Sequence, residues 1–200
     1  MHRITRRFTV LASVVFLILG TAVGAYAATT FPSFGFHKVR SGLPTGIKHF
    51  SLTSTDIRAG KPIPARFWGC EDAGISPALA WHGAPAATKA YAITVFDADA
   101  PTGSGFWHWT SWDVPATTRS LATGAALPAP GVNGTNDGGT LGYTGPCPPV
   151  GDITHHYTFT VVALDVPSLE LTPDTRGAVA GYVIGQHAIA SASLVATARQ

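Results

Sequence analysis

Residues 91–96 (YAITVF) are rich in β-branched and aromatic residues, which predicts a buried strand. Residues 155–164 (HHYTFTVVAL) give the clearest strand: with a period of two, His155, Tyr157, Phe159 and Val161 share one face, and His156, Thr158 and Thr160 the other. Residues 107–114 predict a third strand, and 49–54 (HFSLTS), 65–68 and 78–82 predict shorter ones. The spacing then changes. Val179, Val183, Ile184 and His187 fall near helical positions, predicting a helix that opens at 173–177 and runs to about Ala190. Residues 191–197 fit either the end of that helix or an edge strand. Residues 115–145 are rich in glycine and proline and have no period, and an excursion of that length is usually functional or disordered.

Many short strands joined by Gly/Pro turns predict a mainly β domain. Composition agrees: charged residues make up 12% of the chain, against 22 glycines and 15 prolines. The N-terminus is separate from this pattern. Arg3, Arg6 and Arg7 precede an apolar run from Phe8, and Ala25-Tyr26-Ala27 fits a small-x-small cleavage site, so residues 1–27 are expected to be a secretory signal. An uncleaved anchor is the alternative, and Thr5-Arg6-Arg7-Phe8 leaves Sec-type and twin-arginine export unresolved. Residues 28–46 read as a loose lead-in, and 47–200 as one domain large enough for its own core. Removing the signal changes the charge balance. It holds three of the 13 basic residues and none of the 11 acids, leaving ten against eleven. The remaining chain has no clustered Lys/Arg surface of the kind nucleic acid requires.

Candidate chemistry gathers at strand ends. In the extended register Ile93, Val95 and Asp97 share a face, as does Asp99 if the chain stays extended. Asp97-Ala98-Asp99-Ala100-Pro101 thus places two acids where the strand runs out, while His108 lies on the next strand and His155 and Tyr157 open the one after the excursion. The simpler reading of each Asp is a turn residue bonding backbone amides before Pro101. A zinc site lacks a supporting His/Cys spacing, and a serine hydrolase lacks a Gly-x-Ser-x-Gly elbow, so neither metal nor cofactor is expected. Cys70 and Cys147 lie in turn-rich segments, and a disulfide between them is permitted in an exported chain, although the sequence leaves the pairing open.

These motifs together resemble the phosphatidylethanolamine-binding protein family, in particular its bacterial Raf-kinase-inhibitor-like branch. The resemblance rests on Asp97-Ala98-Asp99-Ala100-Pro101 with Trp107-His108-Trp109, and on Ile153-Thr154-His155-His156-Tyr157 after Gly145-Pro146-Cys147-Pro148-Pro149. It also includes Ile75-Ser76-Pro77-Ala78-Leu79-Ala80-Trp81, and covers the chain from about His49 onward. Ala98 stands where the family has proline, and His156 where it has arginine. The resemblance implies an antiparallel β-sandwich with long loops, a short C-terminal helix and a small anion pocket lined by Asp97, Asp99, His108, Pro148, His155 and Tyr157. It further implies a non-catalytic binder of phosphate-type or zwitterionic head groups, with peripheral membrane association or a protein partner such as a protease as further possibilities. Acid–base hydrolysis by the Asp/His cluster is the competing reading. The nearby carboxylates should favour charged forms of both His108 and His155, and His155→Ala should lose ligand but keep the fold.

Overall fold

A computed structural model describes residues 42–200 except Ala73. The signal expected at 1–27, and the lead-in up to residue 41, lie outside the described residues. Among the described residues the strands are β1 (Lys48–His49), β2 (Ser51–Thr53), β3 (Leu79–His82), β4 (Ala90–Asp97), β5 (Phe106–Pro115), β6 (Ser120–Leu121), β7 (Val132–Asn133), β8 (His155–Leu164) and β9 (Ala188–Ala198), with one α-helix, α1 (Gly177–His187). They form a six-stranded sheet in the order β1-β9-β8-β4-β5-β7 and a three-stranded sheet in the order β2-β3-β6. Of these paired strands only β1 and β9 run parallel. The fold is the mainly β sandwich that the sequence predicts.

Strand β4 is central because both its faces are apolar. Tyr91, Ile93 and Val95, with Tyr157, Phe159 and Val161 of β8, pack towards Trp81, Leu79 and Leu121 of the smaller sheet. Ala90 and Ala92, with Val162 and Leu164, face Ala180 and Ile184 of α1. Covering both faces requires an apolar residue at almost every position, hence the largely apolar run at 91–96. Each fully buried Ile or Phe of this kind stabilises the fold by about 1.5–3 kcal/mol. Helix α1 lies close to the sheet because two glycines make room for Trp107. A Cβ on Gly177 would come within 2.3 Å of the indole Cγ, and one on Gly181 within 2.9 Å of Cη2.

Local chemistry redirects three predicted elements. Residues 49–54 split at Phe50, where the chain passes from one sheet to the other: β1 pairs with β9 and β2 with β3. Residues 65–68 are not a strand but a 3-10 turn (Ala65–Phe67). Pro64, at φ −58°, starts it, and bonds from Phe67 N to Pro64 O and from Trp68 N to Ala65 O close it. Residues 191–197 belong neither to the helix nor to an edge. The helix stops at His187, and β9 continues between β1 and β8. Its alanines favour a helix in isolation, but pairing with β8 along its whole length overrides that preference. The 115–145 excursion is ordered by two short strands, β6 and β7, which pair with β3 and β5 respectively.

Candidate functional site

Asp97 is the last residue of β4, and its neighbours across the sheet are Phe106 of β5 and Tyr157 of β8. All three side chains therefore leave the sheet on the same face at the same level. Alternation from Phe106 adds His108 to that group, and a bulge brings Trp109 onto the same face. Val95 pairs with Trp109 and Phe96 with Trp107, so β5 carries one extra residue, His108, between them. A period of two would put Trp107 and Trp109 on one face. With the extra residue, Trp107 turns to α1 while His108 and Trp109 both look inward with Asp97. His155 begins β8 two residues before Tyr157 and shares its face.

These residues line a cavity of about 300 Å³. Asp97, His108, His155 and Tyr157 form one part of its wall, and Phe106, Pro101, Pro148 and Pro149 another. Asp99 is not among the lining residues. The chain turns after Asp97, whose Oδ1 accepts the Asp99 N–H at 2.9 Å, so the strand does not extend to Asp99. The Asp99 Oδ2 instead accepts the backbone N–H of His156 and lies 2.8 Å from its Nδ1, on the exposed side of the sheet. Asp97 thus acts both as a turn residue and as a cavity residue.

The buried pair at the centre is Asp97 Oδ2 with His155 Nδ1, 2.7 Å apart, with both side chains at most 2% exposed. The other nitrogen of His155, Nε2, lies 3.3 Å from Oδ2 of Asp152. Burial opposes the charged imidazolium. The hydrogen bonds and charges of Asp97 and then Asp152 outweigh it, and hold the His155 pKa above the ordinary histidine value. His108 behaves in the opposite way. Burial holds its pKa below the ordinary value despite the Thr144 carbonyl, 3.0 Å from Nδ1, and the charge of Asp97. The expectation that carboxylates charge both histidines therefore fits His155 only. In neutral His108, Nδ1–H donates to Thr144 and Nε2 is left as an acceptor. Burial, then the charge of Asp97 and a hydrogen bond to it, raise the Tyr157 pKa, so its hydroxyl stays protonated.

The second wall is held by a crossing of two loops. Gly69 N donates to Pro146 O at 3.0 Å, and the backbones pack so closely that a Cβ on Gly145 would lie 2.2 Å from Phe67 O. Cys70 and Cys147 are joined there by a disulfide, their Cα atoms 5.0 Å apart, and Cys147 itself lines the cavity. Among the described residues no group of His, Cys, Asp or Glu is arranged to hold a metal ion. No helix among them is long and apolar enough to cross a membrane.

The family model for phosphatidylethanolamine-binding protein matches residues 53–199. The chain belongs to the phosphatidylethanolamine-binding protein family. It is 41% identical to the UPF0098 protein YbcL of Escherichia coli (strain K12) over 155 residues, covering 72% of this chain and 85% of YbcL. Identity to the UPF0098 protein YbhB of the same organism is 42% over 154 residues, covering 72% of this chain and 97% of YbhB. The crystal structure of E. coli YbcL superposes with a TM-score of 0.73 at 39% identity, covering 76% of this chain and 98% of that one. Within this phosphatidylethanolamine-binding protein fold, the sequence motifs identify Asp97, His108, Pro148, His155 and Tyr157, all of which line one cavity. They miss Asp152, which sits in the turn before β8. Its only sequence signal is a carboxylate three residues before a strand-opening histidine, a spacing too common to single out.

Proposed function

We propose that this protein binds a small phosphate-type anion, or the zwitterionic head group that carries one, in the cavity beneath the disulfide-linked loops, without catalysis. The observation that supports this most is the buried Asp97–His155 pair facing a hydroxyl donor, Tyr157, and a neutral imidazole, His108, in one small cavity. A phosphate oxygen accepts from Tyr157 Oη, while a P–OH donates to His108 Nε2; an ammonium group pairs with a carboxylate. In the empty protein both nitrogens of His155 face carboxylates, which favours a binding role for this imidazole over that of a base. A candidate hydroxyl on the cavity wall, that of Thr102, donates to Gly105 O.

Binding to His108 couples anion capture to a proton, which the ligand brings or the imidazole takes from water. Linkage then makes affinity fall as pH rises. Calorimetric titration with phosphorylethanolamine should give tighter binding at pH 6 than at pH 8, by up to about a hundredfold, since one proton taken up is worth up to about tenfold per pH unit. Equal affinities would remove His108 from the site, and turnover of a phosphoester would replace the binding reading with the hydrolytic one.

We further propose that the chain works after export. The N-terminal arginines and apolar run, and a disulfide suited to an oxidising compartment, support this. So does a relative in Mycobacterium tuberculosis, LppC, 41% identical over 147 residues, whose name proposes it as a lipoprotein. The mass of protein recovered from its host should correspond to a chain beginning after Ala27, and an intact N-terminus would favour the anchor.

A further inference from the structure

The anion reading leaves His155 with a difficulty. Its Nδ1–H is committed to Asp97 and its Nε2–H to Asp152, so the one imidazolium in the cavity has no hydrogen left to give a ligand. The two commitments are unequal. Asp97 is buried and bonded at 2.7 Å, whereas Asp152 is 29% exposed and bonded at 3.3 Å. Asp152 also belongs to a turn, closed by its N–H on Pro149 O, and Pro149 lines the cavity. If one carboxylate yields, it is Asp152, because water can take over its solvation while Asp97 would be left as a bare buried charge.

We propose that Asp152 is a built-in competitor for the anion: its carboxylate occupies His155 Nε2–H in the empty protein, and a phosphate oxygen gains that donor only by displacing it. This rests on the anion-binding reading and adds a residue that sets its strength. Asp97, His155 and Asp152 together carry one net negative charge when the imidazole is protonated, so an incoming anion meets repulsion until Asp152 swings out. An anion with several strong acceptor oxygens makes the exchange worthwhile, and a weaker one does not. Asp152 thereby acts as a threshold against weakly accepting anions.

The test is calorimetric titration of inorganic phosphate into the wild-type protein, Asp152→Asn and Asp152→Glu. Asparagine keeps the shape but removes the charge, and should bind phosphate about tenfold more tightly. Glutamate restores the competing charge and should return affinity to within about threefold of wild type. Urea denaturation should find the three proteins close to one another in stability, since the Asp152 carboxylate is partly exposed and water can take its place. If Asp152→Asn binds phosphate no tighter than wild type, or more weakly, the inference is overturned and the cavity reading stays intact. If none of the three takes up phosphate or phosphorylethanolamine, both fail together.

Discussion

Replacing His155 with alanine should cost about 3–5 kcal/mol of stability and abolish head-group binding, a larger effect than the ligand loss alone that the sequence suggests. The reason lies in what remains. Asp97 is 2% exposed at its side chain, and without the imidazole its carboxylate keeps the Asp99 N–H but loses its counter-charge. Breaking one side of a buried ion pair costs about that much because the other charge is left unpaired. Urea denaturation measures it, and Asp97→Asn in the same background should recover part of the loss by removing the orphaned charge. A loss below about 1 kcal/mol would mean that the pair is solvated and not buried.

The pH dependence of stability separates the two histidines further. The His155 pKa is raised on folding, so its contribution is fully present below the unfolded value near 6.5 and fades as pH rises through the higher folded one. The His108 pKa is lowered, so the folded state is penalised as pH falls below 6.5 and the penalty is absent above it. Together they give a maximum near 6.5. In the alanine variant the upper arm should vanish, leaving stability that rises with pH and then levels off.

The strands that surround the site were legible because burial on one or two faces writes itself into periodicity: β4, β5 and β8 differ from their predicted spans by one residue at most ends. Elements held by pairing rather than by amphipathicity were harder to read. Strand β9 resembles a helix in composition, and 49–54 looks continuous although Phe50 carries it between sheets. At the site, the motifs identified residues but not their arrangement. Asp99 leaves the cavity because the strand ends at Asp97, two residues before an extended reading would end it. Trp109 shares the inner face with His108 because of a bulge, a one-residue mismatch between strands that neither strand's own sequence encodes. Burial of that same histidine, which reverses its expected charge preference, is likewise a property of the assembled wall.

Removing the Cys70–Cys147 bridge, by a dithiol reductant or as Cys70→Ser/Cys147→Ser, should lower stability by about 4 kcal/mol. The bond closes a loop of sequence separation 77, and confining that much unfolded chain is worth about that amount in the chain-entropy account. The loss should be felt first at the cavity. The bridge holds Gly69–Cys70 against Gly145–Cys147, and the adjoining Thr144 donates its N–H to His108 O of β5 while its carbonyl accepts from the His108 ring. Hydrogen exchange should therefore show Gly69 and Thr144 losing protection in the serine variant while Phe159 and Val161, buried in β8, exchange only with global unfolding. If stability changes by less than about 1 kcal/mol and these two amides stay protected, the glycine crossing alone is enough to hold the wall. If they open as expected, the cavity is complete only where the thiols are oxidised, and binding depends on an oxidising compartment.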